Sequence, residues 1–337
     1  MKPRLGMRLR MVIPKGSLEK GSIELLEKAF YKVEGYERSY NPLVSDREID
    51  LRVLRPQEIP VYIAEGLFDV GITGRDWVEE TGADVKILRN LEFGKVKLVF
   101  AAPVSHNYES LNHFLEKNLS NGRPVKIATE YLNITMSRVM SAEAYRARFG
   151  SKKPMIITPW YRYGENPSVS ILLSFGATEA KPPLAADVIV DNTETGRTLE
   201  QNNLAIVEEL MESSAHLVAN RQALEDEWKR EKIYDILTMF TGVIESEKKL
   251  HIFLNVREEN LGELLATLPA LKSPTINKLS MEGWYAVNTV IDKTELHRIL
   301  PKLRRLAQGL VAHRPELILP LEEIGHEGGE NLGGKRG

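Results

Sequence analysis

Between Asp187 and Leu199 the chain reads Asp-Val-Ile-Val-Asp-Asn-Thr-Glu-Thr-Gly-Arg-Thr-Leu. A short β-branched run leads through Thr193, Glu194, Thr195, Gly196, Arg197 and Thr198 into helix formers from Leu199 to Gln201. Glycine in such a turn lets backbone approach an anion closely, and the first N–H groups of the helix behind it have no intrahelical acceptor. With three threonine hydroxyls added, the stretch is built to cradle a monophosphate. Asp191, at the strand end, is placed to accept hydrogen bonds from sugar hydroxyls, and Glu194 to help hold a magnesium-bound diphosphate. An ordinary turn capped by Thr195 or Thr198 would carry the same residues, so the rest of the chain has to decide between the two.

The elements before this stretch alternate. Leu9–Ile13 reads as a strand, and Pro14-Lys15-Gly16-Ser17 turns it into a helix with Leu18, Ile23, Leu25, Leu26, Ala29 and Phe30 at helical spacing. Asp50–Leu54 and Phe68–Ile72 read as further strands, each followed by a helix starting near Pro56 and Asp76. That order predicts a parallel α/β layer, with Lys15, Arg55, Thr73, Gly74 and Asp76 at strand carboxyl ends, where ligands bind in open sheets. Lys15 beside a helix start suits an anion, although a solvated lysine near a turn explains it as well. Val96–Pro103 reads as the strand leaving a first lobe. A second series follows: a strand at Val125–Thr129, a helix over about Ile134–Arg148, a strand at Met155–Thr158, a short helix over Val169–Phe175 and then the hydroxyl turn. A charged helix over about Arg221–Ile244 closes it. Two lobes joined near Pro103 would form a cleft for polar substrates.

From His251 the rhythm becomes βαββαβ: strands at His251–Val256, Thr275–Leu279, Trp284–Ile291 and Glu316–Leu319, with helices over Asn260–Leu268 and Lys293–Gln308. The expected division is lobe I at 1–103 and 206–248, lobe II at 104–205, a small module at 249–324 and a glycine-rich disordered tail at 325–337. The 337 residues carry 42% hydrophobic and 27% charged side chains, as ordinary globular chains do. A net charge of −2 gives no basic field for nucleic acid. The absence of cysteine excludes disulfides, thiolate metal sites and a cysteine nucleophile. Neither a secretory signal nor an apolar run of about eighteen residues is legible, so no membrane span and a cytoplasmic location are expected.

Several segments together resemble the ATP phosphoribosyltransferase family in its long form. They are Ile13–Leu18, Leu54–Pro60, Asp69–Asp76, Lys126–Tyr131, Gly176–Lys181, the hydroxyl turn with Leu199–Leu204, and Leu271–Thr275. The turn itself is similar to the phosphoribosyl-diphosphate loop of phosphoribosyltransferases, with Val190 where the common type has a first acid. Leu132 and Asn203 stand where the family usually has proline and glycine. The resemblance implies a two-lobed, type II periplasmic-binding-protein-like catalytic region and a C-terminal ferredoxin-like (ACT-like) domain. It implies transfer of phosphoribosyl from 5-phosphoribosyl 1-diphosphate to N1 of ATP, with Mg2+, feedback inhibition by L-histidine and a homo-oligomer from dimer to hexamer. Lys15, Arg55 and Glu130 would be catalytic. Asp187, Asp191, Thr193, Glu194, Thr195, Gly196, Arg197, Thr198, Arg52, Asp69, Thr73, Gly74 and Asp76 would bind substrates, and Asn255, Leu271, Ser273 and Thr275 would contact the inhibitor. Two rival readings fit the same architecture: a solute-binding protein without chemistry, and a catalytically dead regulatory subunit. Trp160–Pro167 has no place in any of these readings.

Overall fold

The computed structural model describes residues 7–269, 274–319 and 321. They form two compact units, residues 7–22, 35–42 and 48–226 in one, and 23–34, 43–47 and 227 onward in the other.

The chain starts with β1 (Leu9–Pro14), α1 (Glu19–Lys28), a two-strand ribbon β2 (Val33–Glu34) and β3 (Leu43–Val44), β4 (Ile49–Leu54), α2 (Ile59–Ala64), β5 (Val70–Gly74), α3 (Arg75–Thr81) and β6 (Val85–Asn90). It continues through β7 (Val96–Pro103), α4 (Leu111–Ser120), β8 (Val125–Thr129), α5 (Leu132–Ser141), α6 (Glu143–Phe149), β9 (Pro154–Ile157), β10 (Arg162–Tyr163) and β11 (Asn166–Leu173). Then come β12 (Val188–Thr193), α7 (Arg197–Gln201), β13 (Leu204–Ser213) and β14 (Ala215–Asn220). One sheet has the order β4-β1-β5-β14-β6, the other β10-β9-β11-β8-β12-β7-β13. In the first, β1 runs parallel to β4 and β5, and β14 is antiparallel to β5 and β6. In the second, β8, β9, β11 and β12 run parallel, so their carboxyl ends share one rim. Burial follows position: β5 is buried throughout, whereas the edge strand β4 alternates buried with half-buried residues.

Four expectations need correction. Val169–Leu173 is a strand, not a helix: β11 lies between β8 and β9, with Val169, Ser170 and Ile171 buried inside the sheet. The helix expected over 134–148 breaks at Ala142, whose φ of −64° and ψ of 135° are extended. The lobe boundaries at 103 and 206 also move. Strands β7 and β13 pair with each other, and β7 pairs with β12, so both belong to the second sheet. Its core packs Phe100, Phe114, Tyr131 and Tyr145, and takes in Trp77 from α3. The fourth correction concerns the last strand, in the other unit.

That unit contains α8 (Glu227–Lys248), β15 (Lys249–Arg257), α9 (Glu258–Thr267), β16 (Thr275–Lys278), β17 (Trp284–Asp292), α10 (Lys293–Leu306) and β18 (Ala307–His313). The sheet order is β16-β17-β15-β18 with every neighbouring pair antiparallel. Ile252, Leu254, Val256, Val287 and Ile291 pack with Leu264 of α9 and with Ile299 and Leu303 of α10, so both helices cover one face. The alternate residues Phe253 and Asn255 are exposed, as is Thr275. The fourth strand is therefore 307–313. The expected strand at 316–319 instead lies along α8, where Ile318 N–H donates to the Gly242 carbonyl (3.0 Å) and Ser246 Oγ to the Glu316 carbonyl (2.9 Å). A side chain at Gly242 would collide with Leu319. Leu271, Ser273 and the expected tail 325–337 lie outside the described residues. Among the described residues no helix is long and apolar enough to cross a membrane.

Candidate active site

The hydroxyl turn leaves the carboxyl end of β12. Gly196 takes φ of +79°, a left-handed conformation that costs glycine nothing, and its N–H donates to Thr193 Oγ1 (2.9 Å). It precedes α7 with no side-chain hydrogen bond capping that helix, so neither Thr195 nor Thr198 is spent as the cap that the plain-turn reading requires. Glu194, Thr195, Arg197 and Thr198 are exposed, while Leu199 is buried and anchors the turn. At its far end, Asn203 takes φ of +56°, a left-handed conformation that asparagine tolerates better than most residues.

Asp191 sits beside an acidic cluster. Burial first, and then the charges of Glu130 and Glu179, push its carboxyl up to about 6, while hydrogen bonds from Asn192 N–H and Thr178 oppose the shift. Glu130 follows β8 and accepts from Gly176 N–H (2.7 Å), which ties the ends of β8 and β11 together. The expected residues Asp191 and Glu130 thus share one rim with the turn.

On the first sheet, Lys15 and Arg55 follow the adjacent strands β1 and β4, and Lys15 N–H donates to the Leu54 carbonyl (2.7 Å). Lys15 Nζ pairs with Glu19 (2.7 Å), and exposed Arg55 forms no ion pair among the described residues. Arg52 pairs with Asp50 two residues back. Gln57 Oε1, two residues past Arg55, is buried with no hydrogen-bond partner among the described residues.

Four residues expected to contact substrate have hydrogen-bond partners within the protein. Asp69 is 1% exposed and holds Arg10 through its main-chain N–H (2.9 Å) and its guanidinium (2.7 Å) at the amino end of β5, away from the rim. Asp187 accepts from Arg123 (2.6 Å) and Lys126 N–H (2.8 Å) before β12 begins. Thr193 lies six residues further on, roughly 20 Å along the strand. Thr73 is fully buried and donates to the Pro56 carbonyl (3.1 Å). Asp76 is also buried: Oδ2 accepts from Tyr131 (2.7 Å), Oδ1 from Ser213 (2.6 Å), and Tyr131 in turn accepts from Asn192 Nδ2 (2.7 Å). Gly74 is glycine because a Cβ there would run into the Asp76 carboxylate. Trp77 stacks on Tyr131 at 4.5 Å. Glu80 accepts from Asn133 and Ile134 N–H (both 2.9 Å), closing the start of α5 from a different helix. Burial raises the Glu80 carboxyl against these bonds.

A cavity of about 490 Å³ is lined by Arg75, Lys95, Lys97, Glu194, Glu212 and His216, among others. It brings Glu194 of the hydroxyl turn together with cationic side chains that sequence reasoning missed. Lys97 pairs with Glu209 (2.6 Å). Burial pulls the His216 imidazole down, Arg75 adds to that, and the carbonyl of Ser214 beside Nδ1 (3.0 Å) opposes it. The only sequence signal for it was a histidine inside the apolar run Ala215–Ala219.

Fold and rim define a two-sheet α/β protein with an exposed hydroxyl turn, an acid cluster and a cation-lined cavity at strand carboxyl ends. Comparison with known proteins narrows that class. The family model described as ATP phosphoribosyltransferase matches residues 55–242, and that described as HisG, C-terminal domain, matches 246–313. An ATP phosphoribosyltransferase of Solibacter usitatus is 37% identical over 313 residues, covering 91% of this chain and 98% of the relative. One of Thermodesulfovibrio yellowstonii is 34% identical over 318 residues, covering 93% and 98%. A chain from the solved ATP phosphoribosyl transferase (HisG:HisZ) complex of Thermotoga maritima superposes with a TM-score of 0.52 at 28% identity, over 70% of this chain and 98% of that one. The chain belongs to the ATP phosphoribosyltransferase family, transferases of histidine biosynthesis.

Proposed function

We propose that the protein condenses ATP with 5-phosphoribosyl 1-diphosphate, giving 1-(5-phosphoribosyl)-ATP and diphosphate. Support comes chiefly from the turn Thr193–Thr198, with Glu194, Thr195, Arg197 and Thr198 exposed and Glu194 on the wall of the cationic cavity. In this reading Thr193, Thr195, Thr198 and the main chain at Gly196 and Arg197 hold the 5-phosphate, and Asp191 accepts from the ribose hydroxyls. Departure of diphosphate from the anomeric carbon builds an oxocarbenium-like centre and a growing negative charge. Lys15 and Arg55 on one rim, with Arg75 and Lys95 in the cavity, are the cations we assign to that charge. Glu130 helps to orient the base. Among the described residues no group of three histidines or carboxylates is spaced to hold a metal ion. Glu194, exposed on the cavity wall, fits magnesium carried in by the diphosphate, which would add further charge neutralisation.

The architecture of the first unit is, in this reading, the type II periplasmic-binding-protein-like one. The antiparallel order of the last sheet, with two helices on one face, supports the ferredoxin-like, ACT-like assignment. L-histidine is the proposed feedback inhibitor, bound on the open face of that sheet. Thr275 lies across from Asn288, and Asn288 from Phe253, so Thr275 and Asn255 share that face. A cytoplasmic homo-oligomer completes the proposal.

Diphosphate release from ATP and phosphoribosyl diphosphate tests the reaction. Its absence in the presence of magnesium would return the protein to the solute-binding or regulatory readings. Combined Asn255→Ala and Thr275→Ala should abolish inhibition by L-histidine while turnover remains, and retained inhibition would remove the effector site from that face.

A further inference from the structure

The aromatic stretch that no sequence reading placed lies on the same rim. Thr158–Tyr161 is the turn between β9 and β10 at the carboxyl end of β9, and Phe175 follows the end of β11. Trp160 is 72% exposed and Phe175 67%, yet the two rings meet edge to face, with centroids 5.7 Å apart and planes at 78°. Leaving two large rings in water works against stability unless something covers them.

The backbone at both rings is fixed by hydrogen bonds. Thr158 Oγ1, nearly buried, accepts from Trp160 N–H (3.3 Å) and Tyr161 N–H (3.1 Å), and Thr158 N–H donates to the Tyr161 carbonyl (3.0 Å). Phe175 is bracketed by Ser174 N–H on the Thr129 carbonyl (2.8 Å) and Gly176 N–H on Glu130 (2.7 Å). An edge-to-face pair covers one face of one ring and leaves the others open, and an open aromatic face is what a flat heteroaromatic base stacks on.

We propose that Trp160 and Phe175 form a shelf on which the adenine of ATP stacks, which makes them substrate-positioning residues; the assignment rests on the transferase reading above. The strand order β9-β11-β8-β12 puts the shelf at one end of the rim and the hydroxyl turn at the other, with Glu130 between them. From β11 to β12 is roughly 10 Å at the usual interstrand spacing, within the span of a nucleoside. A base on the shelf therefore lies within a nucleoside's span of a sugar held at Asp191 and the turn. Glu130 and Glu179, close enough to Asp191 to raise its carboxyl, are acceptors for an exocyclic amine.

Two measurements keep the shelf and the reaction apart. Diphosphate release by the wild type tests the reaction alone. ATP binding followed by calorimetry on the full chain tests the shelf whether or not turnover occurs. Trp160→Ala and Phe175→Ala should each weaken ATP binding about tenfold, the usual loss when a base loses a stacking partner. Trp160→Tyr should recover most of it. Where turnover is present, KM for ATP should rise in step while KM for phosphoribosyl diphosphate stays put. Unchanged ATP affinity in both alanine variants would overturn the shelf, as would unchanged affinity together with a shift in oligomeric state, which would make the patch a subunit contact.

Discussion

Asp191→Asn should make this protein more stable at neutral pH. The Asp191 carboxyl is raised from 3.8 to about 6, by burial first and by Glu130 and Glu179 second. Its folded pKa lies above its unfolded one, so the native state binds the proton more tightly. The associated stability is complete below about pH 4 and is lost as pH rises through 6. A shift of roughly two units at 1.36 kcal/mol each sets an upper limit of about 3 kcal/mol for the penalty at pH 7.5. Asparagine keeps an oxygen to accept the Asn192 N–H, now met by Asp191 Oδ1 at 2.8 Å, and carries no charge to desolvate. Solvent reaching the partly exposed side chain reduces the gain to about 1–3 kcal/mol, a melting-point rise of about 2–8 °C at pH 7.5. Melting followed by scanning fluorimetry from pH 4.5 to 8.5 is the assay. The gap between variant and wild type should open between pH 4.5 and 6.5 and stay flat above 7. A gap of constant size across the range, or an Asp191→Asn protein less stable than wild type at pH 7.5, would refute the burial argument.

Three further outcomes follow from the same contacts. Tyr131→Phe keeps the stack on Trp77 but strips a donor from Asp76 and an acceptor from Asn192, so it should cost about 2–4 kcal/mol and lower the melting point by about 5–10 °C; a shift under about 2 °C would make the network incidental. Glu80→Ala uncaps α5 and should cost about 1–2 kcal/mol, seen as faster amide exchange at Asn133 and Ile134, which unchanged exchange would contradict. Thr195→Val with Gly196→Ala should raise KM for phosphoribosyl diphosphate and cut turnover; a Cβ at position 196 meets Ile206 only at 3.5 Å, so the strain comes from the positive φ rather than from a clash.

Much of the hydroxyl turn was legible because its chemistry is local. A β-branched strand, a glycine and hydroxyls in consecutive positions determine one another's geometry, and the structure has them in the left-handed turn that the residues call for. Asp69 and Asp187 were misplaced for the opposite reason. Each stands next to a motif, but which end of a strand a residue occupies depends on strand direction and boundary, and here both acids precede their strands. Val169–Leu173 misled for a related reason, since Val-Ser-Ile-Leu-Leu is too short for its spacing alone to separate a strand from a helix. Lys95, Lys97 and His216 were invisible because only the pairing of β13 and β14 into different sheets gathers them around one cavity.

Asp76 shows how residues of the two sheets come to line one cavity. A carboxylate at the first turn of a helix, beside Thr-Gly, reads as a ligand for a cation or a hydroxyl. In the structure its two oxygens are already taken by Tyr131 and Ser213, residues of the second sheet's half, while Trp77 and Glu80 of the same short helix enter that half's core and cap its helix. A buried charge with its acceptors filled is costly to uncover, so α3 holds the strand it follows, and with it the rim bearing Lys15 and Arg55, against the sheet that carries the turn. Asn192, bonded to the same Tyr131 hydroxyl, lies between Asp191 and Thr193. The proposed sugar site is thus one hydrogen bond away from the strut, and Tyr131→Phe should raise KM for phosphoribosyl diphosphate as well as lower stability. Lost stability with an unchanged KM would separate the strut from the site.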